Sequence, residues 1–445
     1  MILYKLLSLL FFIKKAYNYV IFPFHTEPYQ SDIEDTYFDS LQANQIYTNL
    51  KIGTPAQTIK VFIEYRQFNF FISKFQFKGF FNDSNSQSYK KNKVYSPYLN
   101  SILYLRCALS NDKFSLNIDN KNTDLNLNFL LATDFKEDYL ILNEEPPTGI
   151  IGLLFFDSSL DKDKNLHFID VLKEGNAISN YIWSIKYNDN GNGNDGEFLI
   201  GANPHEIYPK NYKENIIKWT KTEISKTLLD WEIIFDEIYY GNYMKEEEIK
   251  KFDFKSNSMY TLDENVRNAK FIIENGMIKG SYEYNNYLKK NFFKNNKCKE
   301  EIDGISRYYI CDLNTEIKDL PSIYFINKEL NYTFSLNYND LFVKNNNQYY
   351  FLVYFFDSKQ QENYWTIGKP FLKKYQLIFD HEKRRIGIYN GIYKTPFPMI
   401  IILIIVILIT FALSIVAYYI YRRRFRRKRI NELEEIFDYN PRLIT

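Results

Sequence analysis

The sequence predicts an all-β protein of two homologous lobes, followed by one membrane-spanning helix near the C-terminus. Three observations predict this class. From about residue 47 to residue 390, short apolar runs rich in Val, Ile, Phe and Tyr alternate with Asn, Asp and Gly, a pattern typical of strands and turns. A two-part motif occurs twice in this region, and an uncharged apolar run at 399–421 is long enough to cross a bilayer as a helix.

The composition indicates a large globular protein and excludes several function classes. The chain has 445 residues, 45% of them hydrophobic, enough to bury a sizeable core. A net charge of +2 is too small to indicate nucleic-acid binding. The sequence has no His/Cys metal spacing, no phosphate-binding glycine loop and no GxSxG motif, so we expect no metal or other cofactor.

The N-terminus predicts a secretory signal. A short apolar run at 6–13 follows Lys5 and is too short to span a membrane, so residues 1–18 are predicted to be a signal peptide. Residues 19–45 are then expected to be an N-terminal segment or the remnant of a propeptide.

The C-terminus predicts the membrane topology. The apolar run 399–421 is followed directly by RRRFRRKR at 422–429. Positive charge next to a span stays in the cytosol, so residues 422–445 are expected to be a cytoplasmic tail. The chain is therefore predicted to be a single-pass type I membrane protein with its large domain lumenal or extracellular.

Two local elements can be predicted before the motif is considered. Tyr181–Ala202 is two apolar runs joined by the Gly/Asn-rich NDNGNGND, which predicts a β-hairpin. His167–Ile178 has helical spacing with a glycine near its end, which predicts one of the few short helices.

A secretory route would allow disulfide formation between cysteines and glycosylation at Asn-X-Ser/Thr sequons. Cys298 and Cys311 flank a short polar segment and are predicted to form a local disulfide, which leaves Cys107 unpaired. Cys107 is predicted to be a structural thiol, with a Cys–His nucleophile as the functional alternative. Asn82 in NDS and Asn331 in NYT are candidate glycosylation sites.

The two-part motif begins with bulky apolar residues, a glutamate and two polar or turn-forming positions. Its first part is FIEYR at 62–66 and IIENG at 272–276. Downstream of each, an apolar run containing glycine follows: TGIIGLLF at 148–155 and YWTIGKPF at 364–371.

This repetition predicts two homologous lobes, assigned to 46–202 and 203–394. Each lobe then offers one carboxylate, Glu64 or Glu274, to a shared site. Paired carboxylates of this kind are in outline a general acid and a general base.

Seven segments occur in the order found in one family, and through them the chain resembles the pepsin-like aspartic proteases. The segments are YTNLKIGTPAQTIKVFIEYRQFNFFIS (47–73), GIIGLLF (149–155), the short helix with YIWSIKY (181–187), GEFLIGANPHEIY (196–208), KWTKTEISKTLLDWEIIFDEIYYGN (218–242), the cysteine pair with LPSIYF (320–325), and WTIGKPFLKKYQLIFDHEKRRIGIYN (365–390).

The resemblance implies a bilobal fold with a peptide-binding cleft, in which two aspartates activate a water. Residues 64–66, Glu-Tyr-Arg, stand where this family has Asp-Thr-Gly, and residues 274–276, Glu-Asn-Gly, stand at the second such site. Asp263, in YTLDENV, is an alternative for the second acid. Tyr104, in SILYLRCALS, corresponds to the tyrosine of the family's flap.

These substitutions lead us to expect that proteolysis is impaired or lost. Glutamate adds a methylene, Tyr65 replaces a small hydroxyl residue, and Arg66 brings a Cβ and a charge. If the Arg66 guanidinium reaches Glu64, it would lower the pKa of that carboxyl and form a salt bridge. Three functions remain open: an endopeptidase using Glu64 and Glu274, an inactive pseudoprotease that binds peptides or proteins, and a structural surface module. The expected partners are an extended peptide or protein and the lipid membrane.

Overall fold

A computed structural model describes residues 18–28, 36–42, 44–65, 67, 69–74, 79–95, 98–99, 103–135, 147–154, 166–188, 194–222, 230–249, 251, 268–293, 298–356, 364–389 and 399–439. It describes the backbone alone at 93–95, 98–99, 103–105, 134–135, 246, 317, 399–408 and 434–439. The chain divides into two compact units, Met1–Gly391 and Ile392–Thr445.

Strands dominate the first unit. They are β1 (Val20–Pro28), β2 (Asn44–Ile52), β3 (Gln57–Glu64), β4 (Phe70–Ser73), β5 (Lys90–Tyr95), β6 (Tyr98–Leu99), β7 (Leu103–Ile118), β8 (Lys121–Phe135), β9 (Gly149–Gly152), β10 (Ile182–Tyr187), β11 (Asp195–Ile200), β12 (Ile217–Lys221), β13 (Glu232–Ile234), β14 (Glu237–Gly241), β15 (Asn268–Phe271), β16 (Ile278–Gly280), β17 (Cys298–Asp303), β18 (Ser306–Asp312), β19 (Ser322–Asn327), β20 (Tyr332–Leu336), β21 (Phe342–Asn345), β22 (Gln348–Phe351), β23 (Val353–Phe356), β24 (Trp365–Ile367), β25 (Leu377–Asp380) and β26 (Arg385–Tyr389).

The α-helices of the described residues are short, apart from the last. They are α1 (Tyr37–Gln42), α2 (Phe168–Glu174), α3 (Pro204–Ile207), α4 (Glu246–Ile249), α5 (Tyr282–Leu288), α6 (Tyr338–Leu341), α7 (Lys369–Lys374) and α8 (Met399–Tyr439). The predicted short helix is confirmed as α2, which follows His167 and ends before Gly175. The predicted hairpin is confirmed as β10 and β11, which pair antiparallel from Trp183 and Ile200 to Tyr187 and Gly196.

The largest sheet runs in the order β12-β26-β25-β10-β11-β1-β2-β3-β9-β4-β8-β7-β5. Strands β12, β25 and β26 come from the second half of the chain and join this sheet beside β10. Strand β1 lies inside it, between β11 and β2. The region 19–45, expected to be an N-terminal segment or propeptide remnant, thus contributes a central strand.

The predicted internal repeat is confirmed by strand pairing. In the first half, β3 is parallel to β9, β9 is antiparallel to β4, and β4 is parallel to β8. In the second half, β15 is parallel to β24, β24 is antiparallel to β16, and β16 is parallel to β23. The lobe boundaries at 202 and 394 stay predictions.

A shared aromatic core lies beneath the two repeats. Trp183 of β10 stacks on Phe379 of β25 with ring centroids 3.9 Å apart, and Trp231 meets both rings edge-on, at 6.0 and 5.1 Å. All three side chains are buried. Aromatic burial of this size makes the junction between the repeats a major source of stability.

The second unit contains α8, whose side chains from 409 to 433 are exposed within the chain. The predicted span 399–421 forms the first part of this helix. Among the helices that the structure describes, none is long and apolar enough to cross a membrane. The predicted signal peptide, 1–18, lies outside the described residues except for Asn18.

Candidate active site

Glu64 is the last residue of β3, at the point where this strand leaves its parallel partner β9. It lies opposite Gly152 in the β3–β9 register, and the N–H of Leu153 donates to its carbonyl oxygen at 2.9 Å. Apolar residues alternate inward along β3, which fixes the strand against the core. Glu64 itself is half-buried.

Glu274 lies in the turn that follows β15, the equivalent strand of the second repeat. The turn is held by neighbouring main chain: the N–H of Asn44 donates to the Glu274 carbonyl at 3.0 Å, and the N–H of Lys369 donates to the Asn275 carbonyl at 2.8 Å. Asn44 follows α1, so the N-terminal segment helps to fix the second acid.

Gly276 is required by close packing at this turn. Its N–H donates to the Gln42 carbonyl at 3.0 Å. A Cβ at position 276 would overlap the Leu41 carbonyl oxygen and the side-chain nitrogen Nδ2 of Asn44. Any other residue would push α1 away from the turn, so the glycine of the second motif keeps a clear steric role.

Tyr65 brings the two acid-bearing turns together. It follows Glu64 directly, and its N–H donates to the Glu274 carboxylate, to Oε2, at 3.2 Å. The side chain of Tyr65 is fully buried, and its hydroxyl accepts a hydrogen bond from the main-chain N–H of Trp231. Glu64 and Glu274 therefore flank one junction between the repeats.

Buried phenols surround this junction and stay neutral. Burial, and secondarily the carboxylate of Asp230, raises the pKa of Tyr65 far above the ordinary value. Burial also raises the pKa of Tyr187, and the negative charge of Glu274 adds to that rise. The hydroxyls of Tyr65 and Tyr187 therefore stay neutral while the protein is folded, with no charge to compete with the two acids.

Several predicted site residues receive no structural account. Arg66 and Asp263 lie outside the described residues, so the Arg66–Glu64 salt bridge and the alternative second acid stay predictions. The backbone of Tyr104 lies in β7 and pairs with Tyr98 of β6, and its role as the flap tyrosine stays a prediction. Its side chain is not among those described.

The predicted disulfide is confirmed between Cys298 and Cys311, which face each other across β17 and β18. Cys107 is free and buried, and burial raises the pKa of its thiol to about 12. A thiol of this kind is a poor nucleophile, in agreement with the structural role predicted for it. Asn82 and Asn331 are both exposed, and their glycosylation stays a prediction.

Two features of the site were missed by sequence reasoning. Trp231 was noted only as part of a resemblance, yet its backbone and indole N–H groups bond Tyr65 and the Leu153 carbonyl, the latter at 3.1 Å. Lys270 of β15 is buried beside Asp230 and Glu232, at 2.7 and 3.6 Å from their carboxylate oxygens. The sequence did offer a signal for this cluster: Lys270 lies inside the apolar run AKFII, and a buried lysine needs an acidic partner.

Comparisons with known proteins agree with this arrangement. The family model of the eukaryotic aspartyl proteases matches residues 45–390, which include both acid-bearing turns. Among curated proteins, Plasmepsin VII of Plasmodium falciparum (isolate NF54) is 27% identical over 269 residues, which covers 57% of this chain and 55% of that protein. The chain thus spans about half the length of this relative.

Proposed function

Because the chain belongs to the eukaryotic aspartyl protease family, we propose that it binds extended peptides and hydrolyses them slowly, with Glu64 and Glu274 as its carboxylate pair. The observation that carries the proposal is the hydrogen bond from the Tyr65 N–H to the Glu274 carboxylate. It links the residue next to one acid with the carboxylate of the other, across 209 residues of sequence.

The chemistry expected of such a pair follows from like charges in a partly buried site. Two adjacent carboxyl groups share a proton, so one is a base that takes a proton from water while the other donates one to the peptide carbonyl. The longer glutamate side chains change where these oxygens lie. A displacement of about 1 Å in a reacting group can lower a rate about a hundredfold, so we expect slow turnover.

The test is cleavage of a broad peptide library by the purified full chain in detergent, between pH 4.5 and 7. We expect slow internal cleavage that both Glu64→Ala and Glu274→Ala abolish, each with unchanged thermal unfolding. Cleavage that survives either substitution would assign the activity to other residues. Glu283→Ala, on α5, is the control for removing a carboxylate outside the site.

A second candidate is a pseudoprotease that binds peptide without cleaving it. It is favoured by the engagement of the Glu274 carboxylate by Tyr65, because an oxygen that already accepts a hydrogen bond has less capacity to hold the attacking water. Fluorescence anisotropy with labelled library peptides separates the two. Saturable binding without cleavage would support the pseudoprotease. If the protein neither binds nor cleaves the peptides, the structural surface module is the remaining function.

We also propose that the protein is anchored in a membrane through 399–421, with 422–445 in the cytosol. The uncharged run and the seven basic residues among 422–429 support it. We expect the full chain expressed in eukaryotic cells to stay with membranes after alkaline carbonate washing, and a chain ending at residue 398 to be released. Release of both forms would contradict the anchor.

A further inference from the structure

Tyr65 contacts both repeats of the fold through two different groups. Its main-chain N–H donates to the Glu274 carboxylate at 3.2 Å, while its phenolic hydroxyl accepts the main-chain N–H of Trp231. Both partners belong to the second repeat or its approach, whereas Tyr65 extends the first. The residue is therefore attached to the opposite repeat at both ends.

The contact continues back to the first acid. The indole N–H of Trp231 donates to the Leu153 carbonyl at 3.1 Å, and the Leu153 N–H donates to the Glu64 carbonyl at 2.9 Å. We call this series, Glu64–Leu153–Trp231–Tyr65–Glu274, the hydrogen-bond chain. It joins the backbone of one acid to the carboxylate of the other entirely through buried groups.

The two departures from the Asp-Thr-Gly pattern fit each other in this arrangement. A glutamate has one more rotatable bond than an aspartate, so its carboxylate needs an additional contact to be held in one position. The Tyr65 N–H supplies such a contact. The Tyr65 ring, fully buried with its hydroxyl bonded to Trp231, fixes the peptide unit that carries this N–H.

The neighbours of Trp231 keep it in place. Asp230 and Glu232 lie on either side of it in the chain, and both lie beside the buried Lys270 amine. Its ring packs against Trp183 and Phe379. Trp231, the middle member of the hydrogen-bond chain, is thus packed within the core.

We propose that Tyr65 is a positioning residue, which holds the Glu274 carboxylate in its working orientation through the hydrogen-bond chain. The proposal rests on the function proposed above, because it assigns to Glu274 a role in peptide hydrolysis. It predicts that the Tyr65 hydroxyl, which is buried and bonded to Trp231, changes the protonation of Glu274.

The test compares Tyr65→Phe with Tyr240→Phe in the full chain in detergent. Tyr240 is a matched control, because it is fully buried in β14 and its hydroxyl makes no hydrogen bond among the described residues. In Tyr65→Phe we expect kcat to fall about tenfold with KM unchanged. The acidic limb of the pH profile should move up by about one pH unit, because the main-chain N–H of residue 65 is then no longer held by the bond to Trp231, and a carboxylate with a weaker donor holds its proton more tightly. Tyr240→Phe should leave both unchanged.

A second readout does not need activity. Carbon-13 labelling of glutamate carboxyl groups, with the Glu274 signal assigned by its loss in Glu274→Gln, follows the titration of this group directly. Its midpoint should move up in Tyr65→Phe and stay in place in Tyr240→Phe. If the wild-type chain cleaves no peptide, the proposed hydrolysis fails, and this titration still decides the role of Tyr65.

An unchanged Glu274 titration in folded Tyr65→Phe overturns the proposal. If Tyr65→Phe does not fold, Trp231→Phe takes its place, since it removes the indole donor to Leu153 and keeps the main-chain donor to Tyr65. A smaller upward movement of the same midpoint is then expected. A titration identical to wild type in folded Trp231→Phe would equally overturn the proposal.

Discussion

Replacing Trp231 with alanine is expected to lower the free energy of unfolding by about 3–5 kcal/mol. The side chain is fully buried against Trp183 and Phe379, so its removal leaves a cavity that the surrounding rings cannot fill. The Leu153 carbonyl also loses its indole donor. A loss of this size is a large fraction of the stability of a typical domain, about 5–15 kcal/mol.

Urea unfolding followed by circular dichroism measures this loss. The matched control is Trp219→Ala, because Trp219 of β12 is only half-buried and contacts Arg385 near the surface. We expect the control to cost clearly less. Equal losses for the two tryptophans would show that the junction beneath the repeats has no special weight in stability.

Acidification is expected to destabilise the protein through two buried histidines. His167 precedes α2 and His381 follows β25, with ring centroids 5.0 Å apart. Burial lowers the pKa of His167 to about 4, although its hydrogen bond to the Leu154 carbonyl opposes the change. Burial, and then the neighbouring His167, lowers the pKa of His381 well below its ordinary value.

The sign follows from comparing folded and unfolded states. Above pH 6.5 both histidines are neutral in both states, and stability does not depend on them. As the pH falls below 6.5, the unfolded chain binds protons that the folded chain excludes, so stability decreases. By pH 4, His167 alone should cost about 3 kcal/mol.

Urea unfolding midpoints between pH 7.5 and 4.5 test this expectation, with wild type compared with the His167→Gln/His381→Phe double variant. Glutamine keeps a donor for the Leu154 carbonyl, and phenylalanine keeps a ring against Trp231, 4.9 Å from His381. The wild type should lose clearly more stability toward acid than the variant. Parallel pH profiles would assign the acid sensitivity to carboxylates elsewhere.

Much of the site could be predicted because its elements have local signals. The apolar run before each glutamate and the glycine-containing run downstream predicted an internal repeat, and the structure shows that these runs pair as parallel strands, β3 with β9 and β15 with β24. The Tyr181–Ala202 hairpin and the Cys298–Cys311 disulfide followed from turn residues and from spacing.

Other features depend on contacts between distant residues. The bond between Tyr65 and Trp231 joins residues 166 positions apart, and the residue type at position 65 gave no sign of it. Sequence reasoning saw in Tyr65 only the loss of a small hydroxyl residue. In the structure, its hydroxyl makes a different bond across the repeats.

Strand β1 was missed for a different physical reason. Proline has no N–H for a sheet and is normally found at edges, yet Pro23 lies in the middle of β1, opposite Glu197 of β11. Phe22 and Phe24 on either side of it are buried and hold the strand in the core. The burial of these two rings outweighs the hydrogen bond that Pro23 cannot donate. A rule based on strand propensity does not take this burial into account.

The position of β1 sets a limit on proteolytic maturation of this chain. Residues 20–25 pair with β11 and residues 25–28 pair with β2, and the N–H of Asn18 donates to the Ser179 hydroxyl at 2.8 Å. A processing cut after residue 28 that removed β1 would leave β11 and β2 without their partner inside the largest sheet. Any processing enzyme that leaves the fold intact must therefore cut before Asn18, and a mature N-terminus further along would require another strand to take the place of β1.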